Sequence, residues 1–396
     1  MTPETRNRRT KISLFLFGML GLVILLNFYI IKRGWRALSG TGALRPAALA
    51  AYIILFASIF LGRIFRSRPL VSDVFGVAGS FFVALFAVLI ILVLLVDLLR
   101  LIDHFAPIFP SVLRSEPRRA GHIGFALVIG LAVVLIFGGW IHARHIRLKT
   151  VEVVLDKPAA GLSSLEAVLV SDIHLGTLFS IKRLERLVTR INALHPEIVF
   201  IAGDVLNEGL TDEDLEGMAA ALRKIVSRYG VFACPGNHEY YARLERSLPA
   251  LRRGGIDVLQ DAARLVADAF LVVGRGNTEY ILALEKRKPL SEILAGADLR
   301  RPVILLDHQP ARLADSAAAG VDLQLSGHTH AGQFIPFSWI NGALWDVGYG
   351  YGRVGRMQVY VSSGAGVWGP PIRLGTNSEL VRLKIVFQAA KEERLE

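Results

Sequence analysis

The sequence predicts two architectures in series. An α-helical bundle of four membrane-spanning helices occupies residues 1–149, and an α/β domain of two packed mixed β-sheets flanked by helices occupies residues 150–396. Three observations predict this. Long uncharged apolar runs are confined to the part before residue 142. After Lys149, short apolar runs of strand length alternate with amphipathic helical periods. The excess positive charge sits wholly in the first part.

A chain of 396 residues, 53% of them hydrophobic, with a mean hydropathy of +0.45, is too long for one ordinary core and too apolar to be wholly water-soluble. The excess lies in residues 12–31, 46–62, 74–96 and 123–141. Each run approaches the roughly 20 helical residues that cross a hydrocarbon core of about 30 Å, the second being the shortest. No polar face recurs at helical spacing within them, and basic residues gather at their ends, which excludes buried helices of a soluble domain. The first run is followed by Lys32 and Arg33 with no small-residue cleavage site, so it reads as a retained anchor.

Residues 1–150 hold 18 Lys and Arg against 5 Asp and Glu, and residues 151–396 hold 27 against 29. The overall charge of +11 is therefore a membrane-flank signature. A basic, aromatic-interleaved stripe is absent from the second part, so nucleic acid is not expected as a partner. Basic residues number ten on one side of the bundle and eight on the other, a slight bias toward a cytoplasmic second domain at the cell (inner) membrane. Cys234 is the lone cysteine, which rules out an intrachain disulfide and reads as a small apolar residue near a strand end.

In the second part, residues 166–170, 198–202, 231–233, 303–306 and 323–325 read as strands. Residues 181–194 put Leu184, Leu187, Val188 and Ile191 on one helical face and stop before His195-Pro196. Thr211 to Asp214 resembles a capping box that opens a helix running to about Arg228. Residues 256–273, 357–363 and 379–387 have β-branched content and partial alternation, predicting a second sheet layer.

Five motifs follow strand-like runs: Asp172-x-His174, Gly203-Asp204, Gly236-Asn237-His238-Glu239, His308, and Gly327-His328-Thr329-His330. That is where open α/β sheets place their binding crevices. Carboxylate, amide and imidazole side chains without a thiolate suit hard or borderline divalent ions that activate water and polarise phosphoryl oxygens. Asn237 in a Pro-Gly-Asn turn also has a backbone explanation. His195, His142 and His145 lack matching partners and read as a turn residue and membrane-exit residues, while Asp97 and Asp103 read as interfacial.

The ordered set resembles the calcineurin-like metallophosphoesterase superfamily, over about residues 165–385. Residues 326–333 and the later Gly369-Pro370-Pro371-Ile372-Arg373 resemble its membrane-anchored branch, the transmembrane proteins with a metallophosphoesterase domain, although Ala331 stands where glycine is expected. The resemblance implies that Asp172, His174, Asp204 and His330 hold one divalent ion, and that Asp204, Asn237, His308 and His328 hold another. Asp204 then bridges the pair, and a water shared by the ions serves as the hydroxide nucleophile. His238 matches the histidine that faces substrate, where it stabilises the phosphoryl oxygen or protonates the leaving alkoxide, with orientation of Asp204 as its blander role. Glu239 reads as structural.

The expected function is a membrane-anchored, two-metal phosphoesterase. Its ions are Mn, Fe, Zn or Mg, and its partners are the lipid bilayer and a phosphorylated small molecule or lipid. The branch resemblance implies a lipid-linked substrate of the UDP-2,3-diacylglucosamine kind. A soluble phosphodiester is the alternative, and a transporter or sensor with a ligand-binding phosphoesterase-like domain is the reading from a different class. Trp368 and residues 339–345 suit an apolar substrate tail, the membrane surface or ordinary packing.

Overall fold

A computed structural model describes residues 3–65, 68–277 and 287–388. Arg66 and Ser67, between the second and third apolar runs, lie outside the described residues. The chain divides into two compact units, Met1–Gly138 and Gly139–Glu396.

The first unit is built on α1 (Pro3–Ala37), α2 (Leu44–Ile64), α3 (Pro69–Phe105), the short α4 (Ser111–Ser115) and most of α5 (Pro117–Arg144). Four of these helices are long and apolar enough to cross a membrane. Each outruns the apolar run expected from sequence, because the helical hydrogen-bond ladder continues into polar flanks once its turns are formed. Asp97 of α3 is paired within the bundle: Tyr29 Oη and Arg33 Nε donate to its Oδ2 at 2.5 and 2.7 Å. Asp103 instead accepts the backbone N–H groups of Ile108 and Phe109, closing the turn after α3.

The second unit contains β1 (Ile146–Leu155), β2 (Ser164–Val170), α6 (Ile181–Asn192), β3 (Ile198–Ala202), α7 (Asp212–Leu222), β4 (Val231–Cys234), α8 (Asn237–Tyr241), α9 (Leu244–Arg253) and β5 (Ile256–Val258). It continues through β6 (Ala262–Val266), β7 (Phe270–Gly274), α10 (Leu290–Ile293), β8 (Val303–Leu306), α11 (Leu313–Ala318), β9 (Leu323–Ser326), α12 (Phe337–Leu344), β10 (Gly350–Val354), β11 (Met357–Val361) and β12 (Ser378–Phe387). One sheet has the order β1-β12-β2-β3-β4-β5, the other β10-β11-β9-β8-β7-β6. Both are mixed: β2 to β5 are parallel, as are β7, β8, β9 and β11, whereas β12 runs antiparallel to β2, β6 to β7 and β10 to β11.

The strand period of two sorts the core. Leu165, Ala167 and Leu169 of β2, with Ile198, Phe200 and Ala202 of β3, face Phe270, Val272, Ile304, Leu306 and Leu325 of the other sheet. The intervening Val168, Val170, Val199 and Ile201 pack under α6, α7 and α9. Because both faces are covered, β3 is buried along its whole length and reads as a continuous apolar run.

The helical face of Leu184, Leu187, Val188 and Ile191 is buried as expected. Thr211 and Asp214 form the capping box, with Thr211 N donating to Asp214 Oδ2 at 2.9 Å and Asp214 N to Thr211 Oγ1 at 3.1 Å. Other expectations are corrected. The helix opened by this box ends at Leu222 instead of Arg228, since Lys224 and Ile225 close tight turns and Val226 N donates to Asn192 Oδ1. Residues 256–258 and 379–387 join the first sheet, and the strands at 303–306 and 323–326 join the second. Strand character is local, but sheet membership depends on partners far along the chain. The expected domain boundary at 149/150 falls inside β1, whose pairing with β12 places it in the second unit.

Phe200 is fully buried between the sheets. Phe200→Ala is expected to destabilise this unit by roughly 3–5 kcal/mol, read as a lower thermal midpoint by circular dichroism of the detergent-solubilised chain.

Candidate metal centre

Five parallel strands drawn from both sheets deliver the expected site residues to one end of the unit. Asp172 and His174 follow β2, Asp204 follows β3, Asn237 and His238 open α8 after β4, His308 follows β8, and His328 and His330 follow β9. Backbone pairing continues past the strand ends: Asp172 N donates to Gly203 O and His174 N to Asp204 O, each at 3.0 Å. In the second sheet Gly327 N donates to His308 O at 2.9 Å. Each loop is thereby held by its neighbour.

The side chains converge. His330 Nε2 lies 3.1 Å from His174 Nε2 and 3.5 Å from Asp172 Oδ1. Asp204 Oδ2 lies 3.1 Å from His308 Nε2 and 3.8 Å from His174 Nε2. His328 Nδ1 lies 3.0 Å from Asn237 Oδ1. Donor atoms fall into three groups of mutual approach within 4.8 Å: Asp172, His174 and His330; Asp204, His308 and His328; and His174, Asp204 and His238. All eight residues named from sequence are therefore brought together. Asp204 stands in two of the groups, and His238 reaches the donor set itself.

Backbone conformation fits this crowding. Asp172, His174, Asp204, His328 and His330 all take positive φ between 50° and 69°. Such backbone costs about 1–3 kcal/mol per residue and persists only where surroundings impose it. Ala331 shares it at φ 52°, which accounts for the glycine expected there. Glycines of the motifs serve close approach. A Cβ on Gly236 would come within 2.2 Å of Asp204 Oδ1, and one on Gly327 within 2.3 Å of Asp172 Oδ2.

Residues outside the expected ligand set hold the donors in place. Asn207 Oδ1 lies 2.9 Å from His174 Nδ1, and Ala202 O lies 2.7 Å from His308 Nδ1, so both rings turn Nε2 inward. Glu239, fully buried, accepts N–H groups from Gly236 at 2.7 Å, Val205 at 2.8 Å and Asp204 at 3.0 Å, joining the β3 and β4 loops. Arg373 is fully buried as well. Its guanidinium donates to His330 O, Gly366 O, Ser363 O and Ser378 Oγ, tying the last histidine loop to the loop at 362–371. The available signals were a polar residue in an apolar strand exit for Asn207 and the arginine after paired prolines for Arg373.

Electrostatics favour a cation. Burial, reinforced by neighbouring histidines, lowers His174 to about 4 and His328 to about 3, and puts His330 well below the ordinary range. These rings therefore stay neutral at pH 7 with lone pairs available. Burial raises Asp172 to about 6, with the charge of Asp204 adding to the rise. His308 behaves oppositely: burial opposes its charge, but Asp204 and Asp172 carry it up to about 10. Burial also pushes against ionised Asp204, yet His308, His174 and His238 hold it well below the usual carboxylate range. His330 Nδ1 and His238 Nδ1 are buried without hydrogen-bond partners, while His308 Nε2 lies against Asp204 Oδ2. A dry cluster of imidazoles and carboxylates with orphaned ring nitrogens fits divalent metal ions.

Residues 166–332 match the family described as Calcineurin-like phosphoesterase. The chain carries a calcineurin-like phosphoesterase domain. A metal-dependent phosphoester-hydrolase site comes with that membership. An uncharacterized metallophosphoesterase of Campylobacter jejuni is 29% identical over 376 residues, covering 94% of this chain and 98% of its own. One of Helicobacter pylori is 32% identical over 246 residues, covering 61% of this chain and 64% of its own. A Danio rerio protein described as transmembrane protein with metallophosphoesterase domain is 32% identical over 273 residues, covering 65% and 61%. The chain thus spans somewhat less than two thirds of the latter two relatives. With four membrane-length helices before the phosphoesterase domain, it has the two kinds of part that the Danio rerio protein's description names.

Two measurements test this centre. Glu239→Ala strands three buried N–H groups and is expected to cost roughly 3 kcal/mol or more of stability and to weaken metal binding, while Glu239→Gln loses less. Thermal unfolding with and without chelator separates the two variants. His308, at about 10, is protonated at pH 7.5 and must lose its proton to offer Nε2. Metal loading is therefore expected to release close to one proton from this residue, read by titration calorimetry in buffers of different ionisation enthalpy, and affinity rises with pH.

Proposed function

We propose that this chain is a membrane-anchored phosphoesterase that uses two divalent ions to hydrolyse a phosphoester or pyrophosphate of a lipid-linked substrate, of the UDP-2,3-diacylglucosamine kind. The observation that supports it most is the pair of donor groups sharing one buried end of the unit, with Asp204 close to members of both. Asp172, His174, Asp204 and His330 would hold one ion; Asp204, Asn237, His308 and His328 would hold the other. When bound, the ions would supply Lewis acidity and an activated water.

The chain's own residues do the rest. Asn207 and the Ala202 carbonyl fix which ring nitrogen of His174 and His308 faces inward. Glu239 keeps the two central loops in register, so that Asp204 Oδ1 accepts the His238 backbone N–H at 2.8 Å. The His238 ring packs edge-on against His174, Tyr241 and Trp368, with Nδ1 3.9 Å from Glu208 Oε2. That place at the rim of the donor set suits the ring to give a proton to a departing alkoxide. Exposed Trp368 and half-buried Trp345, whose ring stands 5.9 Å from that of His328, offer apolar contact to a lipid-linked substrate.

Membrane attachment supports a lipid phosphate over a soluble phosphodiester, since it concentrates the enzyme where such substrates reside. Full-length protein in detergent is expected to hydrolyse phosphorylated and nucleotide-linked lipids with added Mn²⁺. Asp204→Asn should lose both bound metal and turnover. His238→Ala should keep the metal and lose about 10²–10⁴-fold in rate. Turnover of a soluble phosphodiester alone would favour the soluble-substrate reading, and none on any substrate a ligand-binding domain.

A further inference from the structure

The segment after the last histidine motif is built inside out. Asn341 is the buried residue of α12 and gives its amide N–H to Gly348 O at 2.9 Å. Trp339 and Leu344 on the same helix are 70% and 73% exposed, and Phe337 and Ile340 are about half exposed at 47% and 48%. Ile335 before the helix and Trp368, 58% exposed on the 362–371 loop, extend the apolar area. Gln333 joins the two loops, its amide donating to Trp368 O and Pro370 O. Residues 334–345 contain no charged side chain. An amphipathic helix on a soluble unit normally does the reverse, burying its large apolar residues and offering its amide to water.

The rim of this surface differs from its centre. Lys149 Nζ stands 4.8 Å from the ring centroid of Tyr349, and Arg353 Nε donates to Tyr351 Oη at 2.8 Å. Both tyrosines are exposed. The acid in this stretch is Asp346. Bulky uncharged residues with tryptophan at the centre, and tyrosine with cations at the edge, are the composition of structures that lie in the interfacial layer of a bilayer. The inner side of the same segment borders the metal centre, through Trp345 against His328 and the Thr329 hydroxyl on Gly348 O at 2.7 Å.

We propose that α12, with Ile335 and Trp368, is a membrane-docking face that seats in the interfacial layer of the bilayer, its basic rim meeting anionic headgroups and the mouth of the metal centre held at headgroup level. The bilayer is the occupant because the same chain carries four membrane-length helices and the rim of the face carries Lys149 and Arg353 beside tyrosines. An apolar patch of this kind is costly in water unless covered. The inference concerns where this surface sits and holds whether or not the site turns over any substrate.

The sole cysteine, Cys234, is buried, so a cysteine introduced at an exposed position can be labelled alone. Ile340→Cys and Leu344→Cys, each carrying an environment-sensitive fluorophore, are compared with Val226→Cys, a 71% exposed apolar position between Lys224 and Arg228. The full-length chain is reconstituted in vesicles of phosphatidylethanolamine and phosphatidylglycerol containing nitroxide-labelled phospholipid. The expected result is strong quenching by the lipid nitroxide and protection from aqueous iodide at the first two sites, with the opposite at Val226→Cys. Iodide quenching at all three sites would overturn the proposal. So would disulfide cross-linking between copies through Ile340→Cys, which would make a second copy the occupant. Retention of bound metal shows that each labelled variant is folded.

Discussion

The functional end of the molecule depends on where the Asp204 carboxylate is held. It is a buried anion with histidines on several sides, its Oδ1 fixed by the His238 backbone and its Oδ2 facing His308 and His174. A lone carboxylate in so dry a place would be strongly disfavoured, and only the surrounding donors and positive charge make it tolerable. Its backbone takes a left-handed conformation, and Glu239 pins the peptide from the other side. Displacing this one group would disturb both donor sets at once, because it stands between them.

That constraint explains the architecture around it. The two-sheet sandwich brings the ends of β2, β3 and β4 against those of β8 and β9, so donors separated by up to 158 residues meet in one dry space. Motif glycines are required because side-chain oxygens of Asp172 and Asp204 already occupy the volume a Cβ would need. Arg373 brings the chain's last segment into the same arrangement by satisfying five carbonyl and hydroxyl groups from one buried guanidinium. Such a buried cation is tolerable only when every donor is used in this way.

Stability and function pull in opposite directions on the surface. The inside-out α12 and exposed Trp368 leave apolar area open beside the metal centre, while most large apolar residues elsewhere in the sandwich are buried in continuous clusters. A soluble enzyme gains nothing from such an arrangement. A chain tethered to lipid by its own helices can use the bilayer to cover what its core does not.

Much of this was legible in order along the chain. Hydropathy alone located four membrane-length helices, because crossing a hydrocarbon core demands long uncharged runs. The face of α6 and the capping box of α7 follow from local spacing, and the motifs announce themselves by residue type at strand ends. Tertiary structure decided which strands share a sheet, putting β5 and β12 in the first and β8 and β9 in the second, since long-range pairing leaves no local mark. It also made β1 of a stretch that reads partly as a basic membrane exit, turned Glu239 and Asn207 into positioning groups, and faced the apolar side of α12 outward. Residue chemistry is carried by each position separately, whereas burial, pairing and orientation exist only once distant segments have packed against one another.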